Sequence, residues 1–309
     1  METKRSWLSP FYWASLRGNV RRVLSINQRN LQYIYPHNRR RDYPLADDKL
    51  KTKELLVPHG IPMPRTYHVY GYFYELENLS RDLGALDDFV IKPAQGRAGN
   101  GIVVVAGREG EQWVSVTGRR HSLAELKKAL SDIIFGIYSF DLKDSAIVEE
   151  RLIQHPEMSR ISPNGLADIR LILFNGEPVM AMTRLATLQS GGRANIHQGA
   201  LGVGIDLQTG RTVHAVLGGR PVQVHPDNQA PVVGMQIPQW KEVLDIAVHS
   251  ARLLPLQYLG VDIAVTPEGP VLVEVNVRPG LEIQNANFQG LAGLLAEKAA
   301  EGEAEKSRQ

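Results

Sequence analysis

The stretch Gly260–Gly280, GVDIAVTPEGPVLVEVNVRPG, decides the fold, because it sets Asp262, Glu274 and Asn276 inside runs of valine. A buried strand accommodates such residue types poorly. In VDIAVT the alternation puts Val261, Ile263 and Val265 on one face and Asp262, Ala264 and Thr266 on the other. In VLVEVNV it puts Val271, Val273, Val275 and Val277 on one face, and Leu272, Glu274 and Asn276 on the opposite one. With a turn centred on Glu268, an antiparallel hairpin sets Asp262 across from Glu274, with Asn276 next along the same face. Facing carboxylates repel unless a cation or a proton lies between them. Three oxygen-bearing side chains at one spot suit a hard divalent ion, magnesium or manganese, with phosphate oxygens and water completing its shell. A solvent-facing edge hairpin is the plain alternative.

The rest of the chain bounds what such a site can serve. Its 309 residues are 43% hydrophobic and 22% charged, an ordinary globular composition with room for two or three subdomains. The 35 basic and 33 acidic residues leave a net charge of +2, so nothing in the global balance asks for nucleic acid or an anionic membrane surface. The absence of cysteine removes disulfides, thiolate nucleophiles and Cys-ligated zinc, and fits a reducing compartment. The N-terminal METKRSWLSPFYWASLRGNVRRV lacks a continuous apolar segment and a small-residue cleavage site. No run approaches the roughly 18 apolar residues of a membrane span, and a cytoplasmic protein without a transmembrane segment is expected.

Residues 12–30 show a helical pattern, with Leu16, Val20, Val23, Leu24 and Ile26 recurring among arginines on a face that suits a neighbour. The Pro-bounded loop that follows carries Arg39, Arg40 and Arg41, read either as solvated surface or as an anion patch. DDKLKTKELLVPHGIPMPRT predicts a helix started by Asp47 or Asp48 and stopped by Pro58 and Gly60. DFVIKP and GIVVVA are short strands joined through glycines, and SLAELKKALSDII is a helix with a Ser122/Glu125 capping box. SAIVEERLI is a strand, and ADIRLILFNGEPVMAMTRLA is two strands around Asn175-Gly176. A further hairpin in GIDLQTGRTV and an amphipathic helix in IPQWKEVLDIAVHSARLLP lead into the opening stretch. After Gly290 a short helix and a fraying polar tail are expected. The pattern is α+β with antiparallel sheets.

IKPAQGRAGNGIVV sets Lys92 at a strand end and Gly96, Gly99 and Gly101 in the following loop. Glycines let backbone N–H groups approach an anion, and a lysine adds a point charge for phosphate oxygens. It is not a Walker A loop, because Ile102 and Val103 stand where Lys and Ser/Thr belong. Nor is it a dinucleotide fingerprint, because Val104 replaces the last glycine. By itself such a loop reads better as a plain hairpin turn.

In order along the chain stand DKLKTKELL, FVIKP with its glycine loop, IVEERL, DIRLILFNGEPV, GGRANIHQGA, and GVDIAV with LVEVNVRPGLE. This succession resembles the ATP-grasp carboxylate–amine ligases, in particular the α-L-glutamate ligase-like branch related to ribosomal-protein S6 modification enzymes. The resemblance runs from about Asp47 to Gly290. It implies two antiparallel-sheet α+β subdomains clasping ATP under a mobile glycine loop. It divides the chain into a basic, mainly helical region at 1–46, an ATP-grasp domain at 47–290 with a lid at about 67–150 and a metal-binding part at about 151–290, and a C-terminal helix and tail at 291–309.

Carried over by motif, Lys49 and Lys92 contact phosphates beside Gly96, Gly99 and Gly101. Glu150, Arg151 and Leu152 line the adenine pocket, with Glu149 as the off-by-one alternative, and Asp168 holds the ribose side. Arg193 and Asn195 reach phosphate or acyl phosphate, and Asp262, Glu274 and Asn276 ligate two magnesium or manganese ions. Arg184, Arg193 and Arg278 are candidates for gripping carboxylate oxygens, because a planar fork suits that geometry. His197 touches substrate or the lid, or is a structural residue. The implied chemistry joins a carboxylate to an amine through an acyl phosphate and needs no side-chain nucleophile.

The chain departs from the family in front. Only 48 residues precede Lys49, without the α/β domain that relatives carry there. The amine therefore stays open: an amino acid such as glutamate, a peptide, a protein tail or a sugar-linked precursor. A protein partner at the N-terminal helix and a homo-oligomer are further expectations. The rival reading is a nucleotide-binding regulatory or scaffold module that kept the grasp without ligase turnover.

Overall fold

The computed structural model describes residues 22–96, 99–139 and 142–306. Leu16 and Val20 of the expected first helix lie outside them. From Ile26 the chain is helical to His37, with a π-helical stretch at Arg29–Ile34.

The first sheet is built from β1 (Thr66–Tyr70), β2 (Phe89–Pro93), β3 (Val103–Glu109), β4 (Gln112–Ser115), β5 (Arg120–His121) and β6 (Ala146–Glu149). Its order is β1-β6-β2-β3-β4-β5, antiparallel throughout. The helices Leu79–Gly84 and Leu123–Ile134 bury Leu83, Leu126 and Leu130 against Phe89, Ile91, Val105 and Trp113. Ser122 starts the second of these helices with both halves of the capping box made.

The second sheet holds β7 (Asp168–Phe174), β8 (Glu177–Leu185), β9 (Leu201–Ile205), β10 (Thr212–Leu217), β11 (Arg220–Val222), β12 (Tyr258–Thr266) and β13 (Gly269–Asn276). Its order is β11-β10-β9-β8-β7-β12-β13, again antiparallel. Asn175 and Gly176 both have positive φ, the backbone that a two-residue hairpin turn matching strand twist requires. The helix Trp240–Leu253 buries Val243, Ala247 and Ala251 in this sheet's core.

The deciding hairpin pairs Asp262 with Glu274 and Gly260 with Asn276, but by a different route from plain alternation. Its turn has two residues, Pro267 and Glu268, since Thr266 pairs with Gly269 and Ile263 with Leu272. Val273 is then an extra residue, a bulge between Leu272 and Glu274. Leu272 is thereby in the core with Val275 and Val277, rather than on the face of Glu274 and Asn276.

The last helix spans Leu291–Lys306, longer than the short helix expected, and its Ala, Glu and Lys residues are strong helix formers. The described N-terminal residues are stitched to the second sheet of their own chain. Leu24, Tyr33 and Ile34 enter its core, while Val23 and Ile26 stay exposed. The Asn38 amide donates to the Tyr258 carbonyl (2.6 Å) and accepts from the Gln257 and Tyr258 N–H groups. The Arg29 guanidinium donates to the Pro279 carbonyl (2.7 Å). Among the described residues no helix is long and apolar enough to cross a membrane.

Candidate active site

Lys49 joins the two sheets. It is the first residue of the helix Lys49–Leu56, whose cap is Asp48, accepting from the Leu50 and Lys51 N–H groups. Its backbone N–H donates to the Ala94 carbonyl (3.0 Å), and its ammonium donates to the Gly96 carbonyl (3.2 Å). The same ammonium lies 3.1 Å from Glu274 Oε1. One side chain thus touches the glycine loop of the first sheet and the hairpin of the second.

Glu274 shares its face with a ladder of cross-strand charges. Arg170 on β7 stands opposite Asp262, and Asp168 stands opposite Arg184 on β8. Arg170 forks onto both Asp262 oxygens (2.8 and 2.6 Å), Arg184 adds a bond of 2.9 Å to Oδ2, and the Asn276 amide donates to the same oxygen at 3.3 Å. Arg184 also forks onto Asp168. Burial works against the Asp262 charge, but Arg170 and Arg184 outweigh it and hold its pKa below the usual carboxylate range. Burial, with the Asp262 charge beside it, raises the pKa of Asp168 in spite of Arg184. Burial alone would lower that of Arg184, yet Asp168 and Asp262 bind its proton more firmly.

The donor set fits a hard divalent cation. Glu274 is partly exposed, faces Asp262 directly, and has the Asn276 amide beside it on the same face. Among the described residues no group of three His, Asp or Glu side chains is arranged to hold an ion; beside the two carboxylates, the Asn276 side-chain oxygen would be the third donor. Both Asp262 oxygens already accept from guanidinium groups.

On the first sheet Lys92 and Glu149 form a buried ion pair, with Lys53 2.6 Å from the other carboxylate oxygen. Glu149, not Glu150, enters this cluster. Glu150 is exposed and exchanges hydrogen bonds with the Arg65 backbone, and Arg151 pairs with Asp88. Leu152 is half-buried.

The glycine loop is described at Gly96, Gly99 and Gly101, and Arg97 and Ala98 lie outside the described residues. Gly101 has φ +75°, and a Cβ there would come 2.5 Å from the Tyr138 ring. Arg193 approaches this loop from the second sheet, its Cδ 3.7 Å from where a Gly99 Cβ would lie. Asn195 caps the turn Ile196–Gln198 by accepting from the His197 N–H. His197 is mostly exposed, with Nε2 3.0 Å from Glu282. Arg278 lies over the Tyr43 ring and 3.7 Å from Asp47.

Sequence reading missed Lys53 and Arg170. Both carried a signal: Lys53 is one helical turn after Lys49, and Arg170 is two residues after Asp168 on the same strand face.

This arrangement defines a class. A model of the sugar-transfer associated ATP-grasp family matches residues 28–299, so the chain belongs to that family. The curated relatives are glutamate-ligase-like, as the motif order implied. A "Probable alpha-L-glutamate ligase" of Halorhodospira halophila is 30% identical over 264 residues, 85% of this chain and 66% of the relative. One of Syntrophotalea carbinolica is 28% identical over 268 residues, 86% and 67%. The chain thus spans about two-thirds of the length of the curated relatives it matches. Among solved structures, an ATP-grasp RimK domain protein of Sphaerobacter thermophilus covers 84% of this chain and 70% of its own, at 14% identity and a TM-score of 0.46.

Proposed function

We propose that the protein is an ATP-dependent carboxylate–amine ligase that forms an amide or peptide bond through an acyl phosphate. The observation that carries this reading is Lys49, which contacts the glycine loop and Glu274 at once. A triphosphate lying between those two contacts would meet Lys49 and Lys92 on one side and the Asp262–Glu274–Asn276 face on the other. Binding of ATP and magnesium belongs to the family, and manganese and the count of two ions are part of the proposal.

In this reading Lys49 and Lys92 hold the phosphates, and Arg193 and Asn195 steady the transferring group as it passes to the substrate carboxylate. The carboxylate oxygen attacks the γ-phosphorus and ADP leaves; the amine then adds to the acyl carbon and phosphate leaves. A divalent ion held by Glu274, Asn276 and Asp262 would neutralise charge on the phosphoryl oxygens. Positioning and electrostatics supply the catalysis. Arg278, partly exposed beyond β13, is the side chain for the substrate's carboxylate, and the relatives' printed names favour glutamate as the amino acid. The family's sugar-transfer association keeps a sugar-linked amine among the acceptors.

The test is phosphate release from ATP with magnesium, screened over amino acids and amine acceptors. Release that requires both an acid and an amine supports the ligase. One observation favours a second reading, a nucleotide-binding regulatory or scaffold module: both Asp262 oxygens are held by guanidiniums. Tight magnesium-dependent nucleotide binding with no release under any pairing would select it.

A further inference from the structure

Lys53 is a buried charged side chain that the proposed reaction leaves unused. Its ammonium donates to the Pro64 carbonyl (2.7 Å), Thr66 Oγ1 (2.8 Å) and Glu149 Oε2 (2.6 Å). Three acceptors for three N–H protons are what an ammonium needs to stay charged when buried. Burial lowers the pKa of Lys53, and Glu149 opposes that shift. The other Glu149 oxygen meets Lys92. Lys53, Lys92 and Glu149 keep only 8%, 4% and 3% of their surface. Two ammonium groups and one carboxylate leave a net charge of +1 in a nearly closed place.

We infer that Lys53 is a positioning residue that shares the Glu149 carboxylate with Lys92, so that the cluster keeps one surplus positive charge for the phosphates of a nucleoside triphosphate. This rests on the nucleotide site of the proposed function. Without Lys53, Glu149 and Lys92 become a neutral pair, and the carboxylate, no longer held on both sides, closes on the one ammonium left to it. Lys53 also carries this geometry between the sheets. Its helix ends at Leu56, in the core of the second sheet, while Glu149 ends β6 and Lys92 is the last residue but one of β2 in the first.

Net charge separates this role from a structural one. The net charge of the cluster is zero in Lys53→Met and returns to +1 in Lys53→Met/Glu149→Gln. Binding of AMPPNP with magnesium, and of uncharged adenosine, would be measured by calorimetry, with thermal melts to verify folding. Lys53→Met should weaken AMPPNP about tenfold or more and leave adenosine within about twofold. The double variant should regain most of the AMPPNP loss. Unchanged AMPPNP binding in Lys53→Met, or a double variant that binds as poorly as Lys53→Met, overturns the inference. Should Lys53→Met not fold, Lys53→Gln alone and with Glu149→Gln carries the same comparison. A wild-type protein that does not bind AMPPNP overturns the nucleotide reading itself, whereas binding that is indifferent to Lys53 overturns only this inference.

Discussion

Asp262 and Glu274 stand directly opposite each other across β12 and β13, one position beyond the register that their two-residue turn would set. Val273 is the cause. Without the extra residue Glu274 would share the face of Leu272 and point its carboxylate into the core. The bulge instead turns Glu274 and Asn276 toward Asp262 while Val275 returns to the core. Bulges recur where a strand must re-aim a functional side chain.

Glu274→Gln keeps the shape of this side chain and removes its charge. Phosphate release is expected to fall about a hundredfold or more, and AMPPNP binding should lose its dependence on magnesium. The pair with Lys49 is only partly exposed, but its loss also relieves the repulsion between Glu274 and Asp262, so the melting temperature should move little. Full turnover in this variant would show that Glu274 is not a ligand.

Gly165→Ala should disturb the site from a distance. A Cβ at this position would lie 2.1 Å from the Gly192 carbonyl and 2.9 Å from Ala186 Cβ, and neither neighbour is a flexible side-chain end. The Gly192 loop leads directly into Arg193 and Asn195. A loss of about 1–3 kcal/mol in chemical denaturation is expected, as for other overpacked contacts, together with lower kcat. Gly84→Ala is the control: its Cβ meets nothing within 4 Å, so stability should hold or rise slightly. Equal effects from the two substitutions would refute the packing argument.

What the sequence made legible was local. The Asn175-Gly176 turn, the Asp48 cap, the Ser122/Glu125 box and the period of two in β12 each depend on neighbours a few residues away. What it hid was long-range. Lys53 finds Glu149 across 96 residues and Arg170 finds Asp262 across 92, pairings that no local spacing encodes. Glu149 and Glu150 are identical neighbours, and only the pairing of Glu149 with Val90 and Thr66 decides which is buried. The Val273 bulge lies in an unbroken apolar alternation without glycine to mark it. TYHVY, which forms β1, has one fully buried residue and no clear alternation. An apolar N-terminal face equally suits a neighbour or its own sheet, and Leu24 shows that at least its end takes the latter.

Asn38→Ala tests that attachment. Asn38 bonds both backbone groups of Tyr258 and the N–H of Gln257 at the entry to β12. Truncation leaves the buried Tyr258 groups without these partners, at a cost on the order of 2–4 kcal/mol. Urea unfolding should show a lower midpoint at an unchanged m-value. A loss below about 0.5 kcal/mol would mean that water replaces the amide.

The last prediction concerns pH. His121 on β5 is buried opposite Trp113, and burial, then the nearby Arg119 charge, lowers its pKa below the ordinary 6.5, against Glu125. The fold therefore favours the neutral imidazole. Well above that ordinary value both folded and unfolded chains are neutral at this position, and its contribution is fully present. As pH falls through 6.5 the unfolded chain takes the proton first, so stability declines; the decline levels off once the folded imidazole is protonated too. Between about pH 7.5 and 5, above most carboxylate titrations, the wild type should lose stability faster than His121→Leu. An NMR titration should place the His121 imidazole below 6.5. A value at or above 6.5, or parallel stability curves for the two proteins, would show that burial does not control this group.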